Sequence, residues 1–144
     1  MSLSGLILIA FALTADPCDH ARRPHLYFAK HVAKGRIRMS PRVRNTLPVI
    51  IEFRLAEERW ANDHWIEVRD DILAPEGDHA PIRWHRLASR GQWSPTFSIT
   101  TQSCKACAVG DDVFRFALIY AFRVRPTLPW SKCRLHSEIF RDLR

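Results

Sequence analysis

Two closely spaced pairs of metal ligands form the sharpest chemical pattern in the chain. Cys104-x-x-Cys107 and Cys133-x-x-His136 share one spacing, and 25 residues separate the two pairs. A tetrahedral zinc ion takes four such sulfur and nitrogen ligands, and each pair can come from one tight turn. The gap between the pairs is longer than the roughly 15 to 20 residues of common zinc domains. One structural zinc held by these four residues in an intracellular protein is therefore one hypothesis.

Disulfide bonds are the competing use of the same cysteines. Cys18 brings the number of cysteines to four, and an even number in an exported chain is first interpreted as two disulfides. The sequence does not choose among the three connectivities open to Cys18, Cys104, Cys107 and Cys133. A redox role for Cys104 and Cys107 would need a helix directly after the pair. Residues 110–112, a glycine and two aspartates, do not favour that helix.

The start of the chain bears on the compartment. Residues 5–15 form an eleven-residue apolar run, which is too short to cross a bilayer and matches the core of a secretory signal peptide. Small residues offer a cleavage site after Ala12 or Ala15, although no Lys or Arg precedes the run. The alternative is a buried N-terminal strand. We predict a signal peptide over residues 1–15, a single β-rich domain over residues 16–144, and a secreted or periplasmic location, with a cytoplasmic location as the alternative.

Signatures of catalysis are missing from the sequence. It contains no Gly-x-Ser-x-Gly, His-Glu-x-x-His or phosphate-loop motif, and its five glycines give little material for a loop that cradles phosphate. No second apolar run approaches the roughly 20 residues that a membrane-spanning helix needs. The sequence therefore favours a non-enzymatic protein with no catalytic residues, no cofactor apart from the alternative zinc, and no transmembrane span.

Positive charge is concentrated in residues 20–45. The formal net charge of the chain is +7, yet this segment contains no Asp or Glu. Its cations are the predicted anion-binding residues: Arg22, Arg23, Lys30, Lys34, Arg36, Arg38, Arg42 and Arg44. In an extended chain, the triplets Arg36-Ile37-Arg38 and Arg42-Val43-Arg44 each place both guanidiniums on one face, which suits phosphates or sulfates. The segment therefore predicts an anionic partner.

Genome composition and internal ion pairs could also account for these charges. Arginine outnumbers lysine 18 to 4, and a GC-rich genome raises arginine without any ligand. Residues 52–78 hold nine carboxylates against three arginines, so ion pairs inside the protein could also use the basic segment. Genome composition accounts for the excess of arginine but not for the absence of acids over residues 20–45.

The segments that position these residues are predicted to be mainly β-strands. Runs rich in β-branched and aromatic residues are separated by Gly, Pro and Asp turn signals, which predicts a mainly β, small antiparallel sandwich or barrel-like domain. The predicted strands cover residues 47–55, 65–68, 82–87, 96–101 and 113–125. Residues 55–73 also project an apolar arc in a helical register, so one helix there, and an α+β fold, is the alternative.

These patterns lead to one preferred function and one alternative. The preferred function is a small exported, non-enzymatic binding domain that contacts an anionic polymer or an acidic protein surface through its basic segment. The alternative is an intracellular zinc-stabilised domain whose basic segment follows nucleic-acid phosphates. A sandwich or barrel class hosts many unrelated functions, so the fold class alone decides nothing between them.

Overall fold

Alternation of apolar and polar residues makes most of the described chain extended. The computed structural model describes residues 18, 23–72, 84–95, 98–103 and 112–142. Its strands are β1 His25–Ala33, β2 Arg36–Arg44, β3 Ile51–Ala61, β4 His64–Arg69, β5 His85–Leu87, β6 Gln92–Trp93, β7 Ile99–Ser103, β8 Val113–Phe122, β9 Ser131–His136 and β10 Phe140–Asp142. No helix occurs in these ranges, and so none of them contains a helix that could span a membrane.

The ten described strands belong to one antiparallel sheet. The order along the sheet is β1-β2-β7-β10-β8-β3-β4, while β5 pairs with β3, β6 with β2 and β9 with β8. The described strands do not close into a barrel. The prediction of a mainly β domain is therefore confirmed, and a single open sheet is the form that the domain takes.

The main core lies on one face of this sheet, and a smaller buried cluster of Ala56, Ala117 and Ile119 lies on the other. β3 and β8 pair antiparallel over eight residue pairs, from Glu52 opposite Ala121 to Arg59 opposite Phe114. Alternate residues of β8 are buried on the core face because side chains change sides at every residue of a strand. Aromatic rings fill much of this core, and Phe140 on β10 lies 5.7 Å from Phe114 between ring centroids.

The helix considered for residues 55–73 is wrong. β3 and β4 form a hairpin instead, with Trp60 opposite Trp65. Its two-residue turn is Asn62-Asp63, and both residues have positive φ, 51° and 64°. That geometry is the type I′ turn that matches the twist of paired strands, and Asn and Asp tolerate it better than most residues. The α+β alternative, which depended on this helix, is therefore wrong as well.

The other predicted strands are found with shifted ends. Residues 65–68 lie inside β4, and β8 covers the first ten residues of the predicted run 113–125. The predicted strand at residues 82–87 contains β5, and residues 82–83 lie outside the described ranges. The predicted strand at residues 96–101 contains the start of β7, and residues 96–97 lie outside the described ranges. The strand predicted from residue 47 begins only at Ile51, because the chain before it bends around a buried asparagine.

Asn45 fixes this bend between β2 and β3. Its side-chain amide donates to the carbonyl oxygens of Val49, Leu87 and Ala88 at 2.8, 3.2 and 3.0 Å. Its Oδ1 accepts a hydrogen bond from the Leu47 amide at 3.0 Å. A fully buried polar side chain needs such partners to offset its lost hydration, and these bonds hold the chain away from strand geometry.

Candidate functional site

The arginines of β2 lie together on one side of the sheet. Arg36, Arg38, Arg42 and Arg44 occupy alternate positions, and the aliphatic residues between them are buried in the core. Arg42 is half-buried and the other three are exposed. The extended geometry predicted for the two arginine triplets is confirmed, and both triplets share the same outward face.

β1 adds aromatic and small residues to that outward face. The register places His25 opposite Arg44, Tyr27 opposite Arg42, and His31 opposite Arg38. We call the outward residues of this hairpin the basic face: His25, Tyr27, Ala29, His31, Ala33, Arg36, Arg38, Ser40, Arg42 and Arg44. It contains no carboxylate, so its charge is of one sign.

The guanidiniums of the basic face keep donors for a ligand. Arg38 Nε donates to Ser98 Oγ at 3.3 Å, and Arg42 Nη1 donates to the carbonyl oxygens of Pro41 and Pro95 at 3.2 and 3.4 Å. In the described part of the chain, no carboxylate lies within ion-pair distance of the four β2 arginines. A guanidinium has five N–H donors, and the hydrogen bonds among the described residues use one nitrogen of Arg38 and one of Arg42.

An open pocket of about 320 Å³ lies on the basic face. Its lining residues are Ala29, Lys30, His31, Arg38, Ser40 and Ser98. The pocket exists because the small pair Ala29 and Ser40 sits between two pairs with long side chains. Hydroxyl, imidazole and guanidinium donors around a depression can all bind an oxyanion.

The remaining predicted anion-binding residues do not share this arrangement. Lys30 points to the core side, where its ammonium pairs with Glu138 and lies 5.7 Å from the Phe140 ring centroid. Lys34 lies in the turn between β1 and β2 with φ of 51°. Arg23 precedes β1, and Arg22 lies outside the described residues. Of the predicted anion-binding residues that the structure describes, the four arginines of β2 share one outward face, and the anion-binding role of the whole set stays a prediction.

Several acidic residues in the described part of residues 52–78 have partners other than the β2 arginines. Glu67 pairs with Arg54, Glu57 with Arg59, and Asp71 Oδ2 lies 2.8 Å from His85 Nε2. In the ion pairs seen across the described ranges, residues 52–71 use cations from β3 onward rather than those of β2. Internal neutralisation of the basic face, which the sequence left open, finds no support there.

A second charged group, the Glu58 cluster, was not found from the sequence. Glu58 is 4% exposed, and its carboxylate accepts hydrogen bonds from Arg115 Nε at 2.7 Å and from Arg134 Nη1. His136 Nε2 lies 3.4 Å from Glu58 Oε1, and the Arg115 guanidinium lies 4.2 Å from the Trp65 ring centroid. β3, β8 and β9 bring these residues together on the face away from the core, because each lies at an alternate position of its strand.

His136 is expected to make the fold less stable in mild acid. Partial burial lowers the pKa of His136 below its ordinary value of 6.5, the Arg115 and Arg134 guanidiniums lower it further, and Glu58 only partly opposes this. The unfolded chain then takes up the proton first, so stability present above about pH 6.5 falls as the pH drops toward the folded-state pKa.

Urea unfolding near neutral pH and in mild acid measures this effect. The change His136→Gln should reduce the acid-induced loss of unfolding free energy, because the variant has no imidazole to protonate. A variant that loses as much stability in acid as the parent protein would contradict this prediction.

One predicted cysteine pairing can be placed in the structure. Cys18 and Cys133 form a disulfide across a sequence separation of 115 residues. Cys104 and Cys107 lie outside the described ranges. The zinc hypothesis needs Cys133 as a thiolate, and its sulfur is bonded to Cys18 here. With half of the ligand set undescribed, the zinc site stays a prediction. Elsewhere in the described chain, no three His, Cys, Asp or Glu side chains converge as a metal site would need.

Comparison of the chain with protein-family models, with curated proteins and with solved structures finds no match. A function must therefore be inferred from the chemistry of the described residues.

Proposed function

We propose that this protein is a small exported, non-enzymatic domain that binds an anionic polymer through the basic face. The observation that carries the proposal is the row formed by Arg36, Arg38, Arg42 and Arg44 along one side of β2, three of them exposed and Arg42 half-buried, with no carboxylate paired to the row in the described part of the chain. Such a row of guanidiniums suits phosphate or sulfate groups, since a guanidinium donates two parallel hydrogen bonds to one oxyanion.

A polymer fits this row better than a single small anion. Neighbouring outward residues of a strand are separated by about 6.8 Å, so Arg36 and Arg44 lie roughly 27 Å apart. No small anion reaches across that length, whereas a polymer places many charged groups along it. Several weak contacts on one ligand then add up through high local concentration. The pocket that His31, Arg38 and Ser98 help to line gives one oxyanion of the polymer a binding site.

The disulfide between Cys18 and Cys133 supports the exported location that we propose. Bonds such as Cys18–Cys133 form and persist in oxidising compartments and are rare in the cytosol. This favours a secreted or periplasmic setting. A sulfated polysaccharide, which carries the oxyanions that guanidiniums bind, is the first ligand to test, and nucleic acid is the ligand expected under the intracellular alternative.

Heparin binding across a salt series tests the proposal. With four contacts to the polymer, the affinity of the parent protein should fall about 100-fold between 50 and 200 mM salt. The variant R36Q/R38Q/R42Q/R44Q should lose about 100-fold in affinity at low salt and most of the salt dependence. Polyglutamate and single-stranded DNA serve as comparison ligands in the same titration.

A charge-matched pair of variants separates the effect of the basic face on heparin affinity from the effect of net charge. R38Q and R86Q each remove one positive charge, but Arg86 lies at an exposed position outside the basic face. Only R38Q should weaken heparin binding strongly. Equal losses in the two variants would mean that affinity follows net charge alone, and the proposal would be wrong. Preference for DNA over heparin would instead favour the intracellular alternative.

A further inference from the structure

Exposed apolar side chains gather in the loop between β8 and β9. Among the described residues, seven large hydrophobic side chains are exposed, and three of them lie in residues 123–130: Val124 at 63%, Leu128 at 46% and Trp130 at 42% exposure. Exposed apolar residues that lie close together can form an interaction site, whereas single ones are common on protein surfaces. The loop therefore presents a candidate docking surface.

A fourth exposed apolar residue belongs to the same end of the sheet. Ile50, which is 46% exposed, directly precedes β3. The start of β3 lies beside the end of β8, since Glu52 pairs with Ala121. The chain before β3 and the loop after β8 therefore leave the sheet at one end, and both carry exposed apolar side chains.

Positive charge accompanies this apolar surface. Arg123 and Arg125 lie within the loop, and Lys132 follows it in β9. Residues 113–137 contain no Asp or Glu. An apolar tip with cations behind it complements a lipid bilayer that carries anionic headgroups, because the apolar residues enter the interface while the cations stay beside the phosphates.

The loop is held in shape before any partner arrives. The Arg123 guanidinium lies 4.8 Å from the Trp130 ring centroid and donates to the Pro126 carbonyl oxygen at 3.0 Å. The Leu128 amide donates to the Arg125 carbonyl oxygen at 3.0 Å. A preformed surface loses little conformational freedom on docking.

We propose that the β8–β9 loop, together with Ile50, docks on the surface of a bilayer that contains anionic lipids. Trp130 and Leu128 enter the headgroup boundary, and Arg123 and Arg125 bind lipid phosphates. The site is separate from the basic face and does not depend on the polymer-binding function. The domain rests on the membrane surface through this loop.

Vesicle co-sedimentation of the purified protein tests this docking. Phosphatidylcholine vesicles with phosphatidylserine should bind the protein at least about tenfold more tightly than vesicles of phosphatidylcholine alone. L128S/W130S should weaken binding to the anionic vesicles by about tenfold or more. V32S/V68S, which changes exposed apolar residues elsewhere, is the matched control and should bind as the parent does. The loop variant and the control should bind heparin equally.

Three results would overturn the proposal. The first is unchanged vesicle binding by L128S/W130S. The second is an equal loss of vesicle binding in V32S/V68S, because general hydrophobicity would then account for it. The third is a monomer–dimer equilibrium in sedimentation velocity that L128S/W130S abolishes without vesicles, since a second copy of the chain would then be the occupant. Loss of heparin binding in the basic-face variant with intact vesicle binding would separate the two functions.

Discussion

The variant Cys18→Ala/Cys133→Ala is expected to lose about 4 to 5 kcal/mol of unfolding free energy. The two residues are 115 positions apart, and a bond that closes a loop of this length strongly restricts the unfolded chain, by roughly 4.7 kcal/mol for 100 residues. Domains of ordinary size have about 5 to 15 kcal/mol in total. The variant should therefore be close to unfolding at physiological temperature.

Urea unfolding with and without a reductant measures this loss. The parent protein should become less stable when the reductant is added. The alanine variant should not change further in the reductant, unless a bond outside the described residues also contributes. A variant within about 1 kcal/mol of the parent would show that the bond is not a major constraint on the unfolded chain.

Removal of the charge at the centre of the Glu58 cluster is expected to have the second-largest effect. Glu58→Gln keeps the shape of the side chain but leaves the Arg115 guanidinium, whose side chain is 19% exposed, without a counter-charge. Loss of one partner from a buried ion pair costs about 3 to 5 kcal/mol. The Arg134 side chain is 42% exposed and can regain water, so a loss of about 3 kcal/mol is expected.

Glu52→Gln is the matched control for this change. Glu52 lies on the same strand and the same face as Glu58, but its partner Arg86 is 3.8 Å away with a side chain that is 68% exposed. Exposed ion pairs contribute little, so the control should lose less than about 0.5 kcal/mol. Equal losses in urea unfolding would show that the Glu58 cluster is not a structural ion-pair network, and its role would have to be sought in ligand binding.

The basic face could be predicted from the sequence because its information is local. Arg36, Arg38, Arg42 and Arg44 alternate with aliphatic residues, and alternation alone fixes which side of a strand each residue takes. The same reasoning could not assign Lys30, whose partner Glu138 is 108 residues away. The local sequence pattern therefore predicts that the four arginines of β2 share one face, but it does not predict which other cations lie on that face.

The Glu58 cluster shows what local pattern cannot provide. Arg115 and Arg134 are 57 and 76 residues from Glu58 in sequence, and only the pairing of β3, β8 and β9 brings them together. Strand pairing of this kind depends on the whole sheet. In residues 55–73 the sequence left a helix and a hairpin about equally open, since a helical arc and a strand pattern coexist there, and Asn62-Asp63 decides between them.

The position of β10 has a consequence for the order in which the protein folds. β10 lies between β7 and β8, and so it joins the group β1, β2 and β7 to the group β8, β3 and β4. It is also the last described strand along the chain. A ribosome must therefore pass Asp142 before the two halves of the sheet can be joined, and the nascent chain stays incompletely folded until then. The sheet is therefore completed only after β10, the last described strand, has been synthesised.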